Sequence, residues 1–296
     1  MTDAAPNPNQ ETVPPAQPPN SNQGTVRLAH PPNATIQENE ARGTVPTPPT
    51  SPSHPGWEIL LVLGLSLGQS AVYSLLSYIR ELTANVPMNQ QTTSMNSSVT
   101  PDRPWLDLTY QITNIVFPAI PALLALYFLR LSGDRKKIGF DLARPGRDIG
   151  WGAIMAACIG IPGLALYVAA QHFGFNTTVA PANLASNWWT VPVLICLAAM
   201  NGFLEEIVMI GFFFVKAQAL RWEPWMIVVV SATIRGAYHA YQGGGGLAGN
   251  FVMGLVFGLF YLRTKRVAPL VVAHTFLDIV SFVGYALLSP YLSWLP

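Results

Sequence analysis

From residue 57 onward the chain alternates long apolar runs with short polar joints. Seven runs read as helices: 59–79, 108–129, 149–170, 191–214, 226–240, 247–262 and 268–288. The first three hold no charged residue over about 20 positions, the length a helix rising about 1.5 Å per residue needs to cross about 30 Å of hydrocarbon. Helices are expected because lipid offers no partner to a backbone N–H or C=O, so each segment must satisfy its own. The fifth and sixth runs are the shortest, and Pro118 and Pro121 are expected to kink the second. The pattern predicts an all-α, polytopic helical membrane protein with about seven transmembrane helices.

Residues 1–56 read differently. They hold half of the chain's 26 prolines, mixed with Asn, Gln, Thr and Ser, and show no apolar period. Such a stretch buries too little apolar surface to offset its ordering entropy, so a disordered N-terminal tail is expected. Residues 1–10 contain neither a basic stretch nor an apolar run and are not expected to be a signal peptide.

Composition supports the membrane reading. Half of the 296 residues are hydrophobic and 10% are charged, against about 25% charged in a soluble domain. The formal net charge of +1 gives no reason to expect a nucleic-acid partner. Cys158 and Cys196 lie in apolar runs and show neither metal-ligand spacing nor a disulfide framework. Asn33, Asn96 and Asn176 each begin a glycosylation sequon. Arg130, Arg135, Lys136, Lys137, Arg144 and Arg147 crowd the joint after the second run. Lys216 and Arg221 follow the fourth, and Arg263, Lys265 and Arg266 the sixth, while the alternate joints carry only Arg80 and Arg103. The positive-inside rule then places the protein in the cell membrane with a cytoplasmic N-terminal tail and the C-terminus outside.

Gly64-Leu65-Ser66-Leu67-Gly68 matches the G-x-S-x-G pattern of serine hydrolases. That motif works at a sharp strand-to-helix turn, and here it sits inside an apolar run without His or Asp. Gly64 and Gly68, four residues apart, are expected instead to form a close helix-packing face.

Strongly polar groups inside apolar segments concentrate in the last four runs: Asn201, Glu205 and Glu206 in the fourth, Arg235 and His239 in the fifth, His274 and Asp278 in the seventh. One Asp or Arg at the bilayer centre costs about 2.5–3.5 kcal/mol even on the lenient insertion scale. Several on three helices must therefore face one another or a wet cavity. A buried network of ion pairs is the structural alternative to an active site. Arg235 and His239, His274 and Asp278, and Asn201 and Glu205 are each i, i+4 and share a helix face. Glu205 and Glu206 point about 100° apart, so one faces the cavity while the other supports it by pairing with Arg235. Two histidines and a carboxylate can bind a divalent metal, or they can position water for a glutamate base and stabilise an oxyanion. Both chemistries stay open. Counted from Pro224 and Ala268, His239 and His274 differ in depth by about 13 Å. They meet only if the fifth run starts outside the hydrocarbon or its boundaries differ.

At these residues the chain resembles the CPBP family of intramembrane proteases, the type II CAAX prenyl endopeptidases and their bacteriocin-processing and immunity (Abi) relatives. The likeness covers 191–288. The Glu-Glu pair is present as Glu205 and Glu206, but Ile210 stands where the family has Arg. The second motif, an aromatic residue and then His four positions on, keeps His239 with Arg235 in the aromatic's place. Tyr241-Gln242-Gly243 after it adds to the likeness. The third, His followed four residues later by Asn or Asp, is complete in His274 and Asp278. The resemblance implies a hydrolase, an intramembrane (metallo)endopeptidase acting on a membrane-associated protein or peptide, prenylated ones included, with membrane lipid around it. It implies Glu205 as the activator of water and Glu206 as its assistant. His239, His274 and Asp278 would bind a divalent metal, zinc in the first instance, or hold the oxyanion. Arg235 supplies the positive charge missing at 210, and Asn201 supports. The domains then run as tail 1–56, scaffold helices 57–190 and catalytic region 191–288. Two other functions are weighed: a non-proteolytic scaffold or immunity protein, which the altered positions 210 and 235 favour, and a transporter or proton relay, against which stands the lack of an internal repeat.

Overall fold

The computed structural model describes residues 54–291. The tail therefore lies outside the described residues except for its last three positions, as do Asn33 and its sequon. Helix α1 (Pro55–Gly64) already begins at Pro55. It is followed by α2 (Leu67–Leu82), α3 (Pro104–Leu131), α4 (Pro145–His172) and α5 (Thr190–Glu206). A π-helical turn (Ile207–Phe212) joins α5 to α6 (Phe213–Ala219), and α7 (Pro224–Tyr238), α8 (Gly244–Thr264) and α9 (Ala268–Leu288) complete the bundle. Proline stands in the first turn of α1, α3, α4, α7 and α9. Its missing N–H is no loss there, and its fixed φ favours the helix.

The helical, multi-span architecture is the one the apolar pattern predicts. Five helices are long and apolar enough to cross a membrane: α3, α4, the continuous stretch Thr190–Ala219, α8 and α9. Helices α1 and α2, bent by 48° from one another, pass the same test together and make a sixth if they form one broken span. The segment expected as the fifth span is α7, which has only 15 residues. Helix α3 runs as one helix through Pro118 and Pro121.

The bend between α1 and α2 falls on the G-x-S-x-G sequence, which is not the continuous helix expected. Ser66 sits in the break and donates to Val62 O at 2.5 Å. A Cβ added to Gly64 would touch nothing within 4 Å, whereas one on Gly68 would fall 2.7 Å from Leu63 O. Gly68 alone therefore permits a close approach, of α2 to the end of α1 across the bend.

The stretch Thr190–Ala219 is the centre of the bundle, with 67% of its apolar window buried, against 17% for α3 and 11% for α4. Ile207, Val208, Met209, Ile210 and Phe212 are fully enclosed. The outer faces of α3 and α4 carry exposed Phe117, Ile120, Ile154 and Ile161, which suits a lipid-facing position. Helix α5 packs on α9, and α7 on α8. Two glycines permit these approaches. A Cβ on Gly202 would lie 2.8 Å from Thr275 Oγ1, and one on Gly254 would lie 2.7 Å from Ala232 Cα.

The interhelical segments are knit together. Strands β1 (Thr92–Ser94) and β2 (Thr178–Ala180) pair in parallel and tie the α2–α3 loop to the α4–α5 loop. Buried Asn176 accepts from the amides of Gly245 and Gly246 at 2.8 and 3.2 Å, capping α8 from outside. At the other end of the helices Arg266 bridges Asp141 and Asp148 at 3.0 and 2.6 Å.

Candidate functional site

The site forms where α5, α7 and α9 meet. Glu205 and Glu206 are the last residues of α5, immediately before the π-helical turn. Such turns often mark functional positions because they rotate the following residues off the α-helical register. Ser231 Oγ on α7 donates to Met209 O in that turn at 3.2 Å, fixing it to the neighbouring helix.

The adjacent glutamates divide as the 100° step predicts. Glu205 lines a cavity, and Glu206 lies behind it, fully buried. Arg235 Nη2 donates to Glu206 Oε1 at 2.6 Å, with Nη1 3.8 Å from Glu205 Oε2. The guanidinium is itself fully buried, 5.4 Å over the Phe257 ring. The positive charge absent at Ile210 is thus delivered from α7. His274 Nδ1 lies 2.7 Å from the same Glu206 oxygen. An ionised carboxylate paired with arginine has no proton to give, so His274 donates from Nδ1 and turns Nε2 outward, an assignment made from the network. That Nε2 is 3.8 Å from both Glu205 Oε2 and Asp278 Oδ1. Asn201 Nδ2 donates to Asp278 Oδ2 at 2.9 Å and holds it in place.

His239 follows the last residue of α7 and brings Nε2 to 3.7 Å from Glu205 Oε2. Both histidines therefore stand within 4 Å of one carboxylate oxygen, and the 13 Å difference in depth does not arise. Helix α7 is short and ends at the site, so residues counted from Pro224 do not measure depth against α9. Among the described residues neither ring nitrogen of His239 has a hydrogen-bond partner, although both are buried. The glycines at 243–246 just beyond open α8, where Gly244 N also bonds Phe175 O at 2.7 Å.

Two tyrosines complete the arrangement. Tyr238 Oη donates to Glu205 Oε2 at 2.7 Å, and Tyr241 stacks on His239 with ring centroids 6.3 Å apart. Sequence reasoning gave Tyr238 no role. Its i, i+3 spacing from Arg235, on the same helix face, was the available signal.

The structure brings together every expected site residue: Glu205, Glu206, Arg235, His239, His274, Asp278 and Asn201. The metal-ligand trio differs from expectation. Among the described residues, the potential ligand atoms that all lie within 4.8 Å of one another belong to Glu205, Glu206 and His274, whereas His239, His274 and Asp278 do not form such a group. Glu205 is the carboxylate that both histidines approach. The donor chemistry still suits a divalent cation. His239 offers unpartnered nitrogens, and His274 is backed by a carboxylate on its other nitrogen, as metal-binding histidines are. The same groups can equally present N–H donors to an oxyanion.

Residues 187–280, about a third of the chain, match the family described as Rce1-like, type II CAAX prenyl endopeptidase. The match spans all the residues of the site and agrees with the resemblance carried by their motifs. No curated protein and no solved structure matches the chain.

Proposed function

We propose that this protein is an intramembrane endopeptidase, a hydrolase that cleaves a peptide bond of a membrane-associated protein using water activated by Glu205. The observation that carries the reading is the convergence on Glu205 Oε2. Tyr238 Oη lies 2.7 Å away, His239 Nε2 3.7 Å and His274 Nε2 3.8 Å, all beside a cavity. The Rce1-like match of 187–280 supports the same class of activity.

In this reading Glu205 takes a proton from a water held between it and the histidines, and the water oxygen attacks the scissile carbonyl carbon. The carbonyl oxygen becomes an oxyanion that His239 or His274 stabilises. Glu205 then returns the proton to the leaving amine as the C–N bond breaks. Glu206, neutralised by Arg235, fixes the His274 ring. Asn201 fixes Asp278, which in turn faces His274. A divalent cation, zinc by the chemistry of the donors, would be held at the cluster of Glu205, Glu206 and His274, with His239 beside Glu205, and would polarise the carbonyl. The tail is taken to be cytoplasmic, on the strength of the basic joints.

The test compares peptides released from membranes carrying the wild type with those from Glu205→Gln, at equal protein levels, by mass spectrometry. Loss of a general base predicts a fall of about 10²-fold or more in specific products. Repeating the comparison with a chelator decides the need for metal. Identical peptide profiles would sink the reading and favour a scaffold that keeps the fold without the chemistry.

A further inference from the structure

Strand β2 (Thr178–Ala180) gives Val179 to the wall of the cavity in front of Glu205, whose volume is about 1670 Å³. One side of β2 is paired. Thr178 N donates to Gln91 O and Ala180 O accepts from Met95 N, each at 2.9 Å. Backbone groups alternate along a strand, so Val179 turns its N–H and C=O away from β1. That side is the edge of the sheet. Val179, Pro181 and Tyr167 of α4 line the same cavity as Glu205 and His239.

The edge is one residue long. Thr177 before it is buried, and Pro181 beyond it has no N–H and accepts at its carbonyl from Asn96 Nδ2 at 2.8 Å. Its amide is held by a side chain, since Val179 N donates to Tyr167 Oη at 3.0 Å. A phenol oxygen keeps that N–H satisfied, and a peptide carbonyl can take its place with no net loss of hydrogen bonds. The sheet is also fixed against the site. Thr93 Oγ1 donates to Tyr241 O at 3.2 Å and Thr177 Oγ1 to Gln242 O at 3.3 Å, in the turn that directly follows His239. Met95 Sδ accepts from Tyr241 Oη at 3.6 Å, and the Tyr241 ring stacks on His239.

We propose that the Val179 edge docks the backbone of the substrate, which lies in the cavity as an extended segment and pairs with Val179 N–H and C=O in place of Tyr167. This rests on the endopeptidase reading and deepens it by naming how that site holds its substrate. One residue of a segment antiparallel to β2 exchanges both bonds with Val179. Such pairing keeps the segment out of a helix, in which each carbonyl is bonded to an N–H four residues on. The scissile carbonyl is then open to attack. The contact reads main chain, so it serves substrates of differing sequence. A second copy of this chain does not suit the edge, which lies in a cavity wall and offers a single residue.

The test uses a peptide spanning one Glu205-dependent cut, carrying a fluorophore and a quencher at its ends, and the full-length protein in detergent micelles. Val179→Pro removes the edge N–H and leaves the β1 bonds of Thr178 and Ala180 in place. It should raise KM about tenfold and change kcat by less than about twofold. Tyr167→Phe frees the same N–H and should lower KM about two- to fivefold. Because proline also stiffens the strand, the wild type is assayed with the peptide N-methylated at each amide in turn. One position away from the scissile bond should raise KM about tenfold. Tyr167→Phe with an unchanged or raised KM would make its bond a structural tie between α4 and the loop, and would overturn the inference. So would a KM that no N-methylation away from the scissile bond alters. Both results leave the peptidase reading intact. Absence of any Glu205-dependent product would overturn that reading, and this inference with it.

Discussion

Replacing Arg235 with Met tests whether the buried charge pair holds the site together. Met keeps much of the stem that lies against Phe257 and removes the guanidinium. In the native protein Arg235 and Glu206 are both fully buried and 2.6 Å apart. At an effective dielectric of about 20, two unit charges at that distance attract by about 6 kcal/mol, and desolvation of both ions offsets much of this. The single variant loses the attraction and leaves Glu206 buried with only His274 beside it. Breaking a buried pair in this way costs about 3–5 kcal/mol. Adding Glu206→Gln removes the stranded charge, so the double variant should recover all but about 1–2 kcal/mol of the loss. The assay is unfolding in mixed micelles with increasing denaturing detergent, followed by circular dichroism. If Arg235→Met destabilises by less than about 1 kcal/mol, or if the double variant is no more stable than the single, Arg235 does not act as the counter-charge and the account of the missing arginine at position 210 fails.

Tyr238→Phe removes a neutral donor to Glu205 without changing volume. It should raise the barrier to turnover by about 1–2 kcal/mol, roughly a five- to thirtyfold loss of rate, with unchanged detergent stability, and equal turnover would show that the hydroxyl does not position Glu205. Gly202→Val should separate α5 from α9, because its first carbon already falls 2.8 Å from Thr275 Oγ1. Loss of Glu205-dependent cleavage together with a stability loss of at least about 2 kcal/mol is expected, measured in the same unfolding assay. At the membrane surface the Arg266 guanidinium bonds Asp141 and holds its carboxyl below the usual aspartate range. A lowered folded pKa means that this contact stabilises above the unfolded value near about 3.9 and weakens as pH falls through the folded one. Proteolysis in the 132–147 loop should therefore rise at acid pH, and Asp141→Asn should blunt that rise.

Much of the site was legible because lipid makes polar residues expensive. Glu205, Glu206, Arg235, His239, His274 and Asp278 stand out against apolar surroundings, and i, i+4 spacing alone paired His274 with Asp278 on one face. The pairing of Arg235 with Glu206 also followed from the 100° step between the glutamates. Features set by tertiary contacts were not legible. The break at Ser66 sits in a run as apolar as any intact helix, so composition did not reveal it. Strands β1 and β2 are three residues each, and their pairing depends on where four helix ends come together. The shortness of α7 was already visible in the fifth run, but its position against α9 is set by packing, and counting depth from Pro224 and Ala268 misplaced His239. The cavity beside Glu205 draws on segments from Gln69 to Ser281, and no local pattern announces it.

The cap that Asn176 places on α8 has a consequence for biosynthesis. Asn176 opens the sequon Asn176-Thr177-Thr178, yet its side chain is 1% exposed and bound to two glycine amides. The folded protein offers no acceptor there. An oligosaccharide attached to Asn176 Nδ2 of the nascent chain would sit beside the Oδ1 that accepts from Gly245 and Gly246, where the side chain is buried, and α8 could not then close on the loop. Production in a host that glycosylates this side of the membrane would yield a mixture of functional and trapped chains. Thr178→Val, which destroys the sequon and leaves Asn176 in place, should convert that mixture to a single folded species.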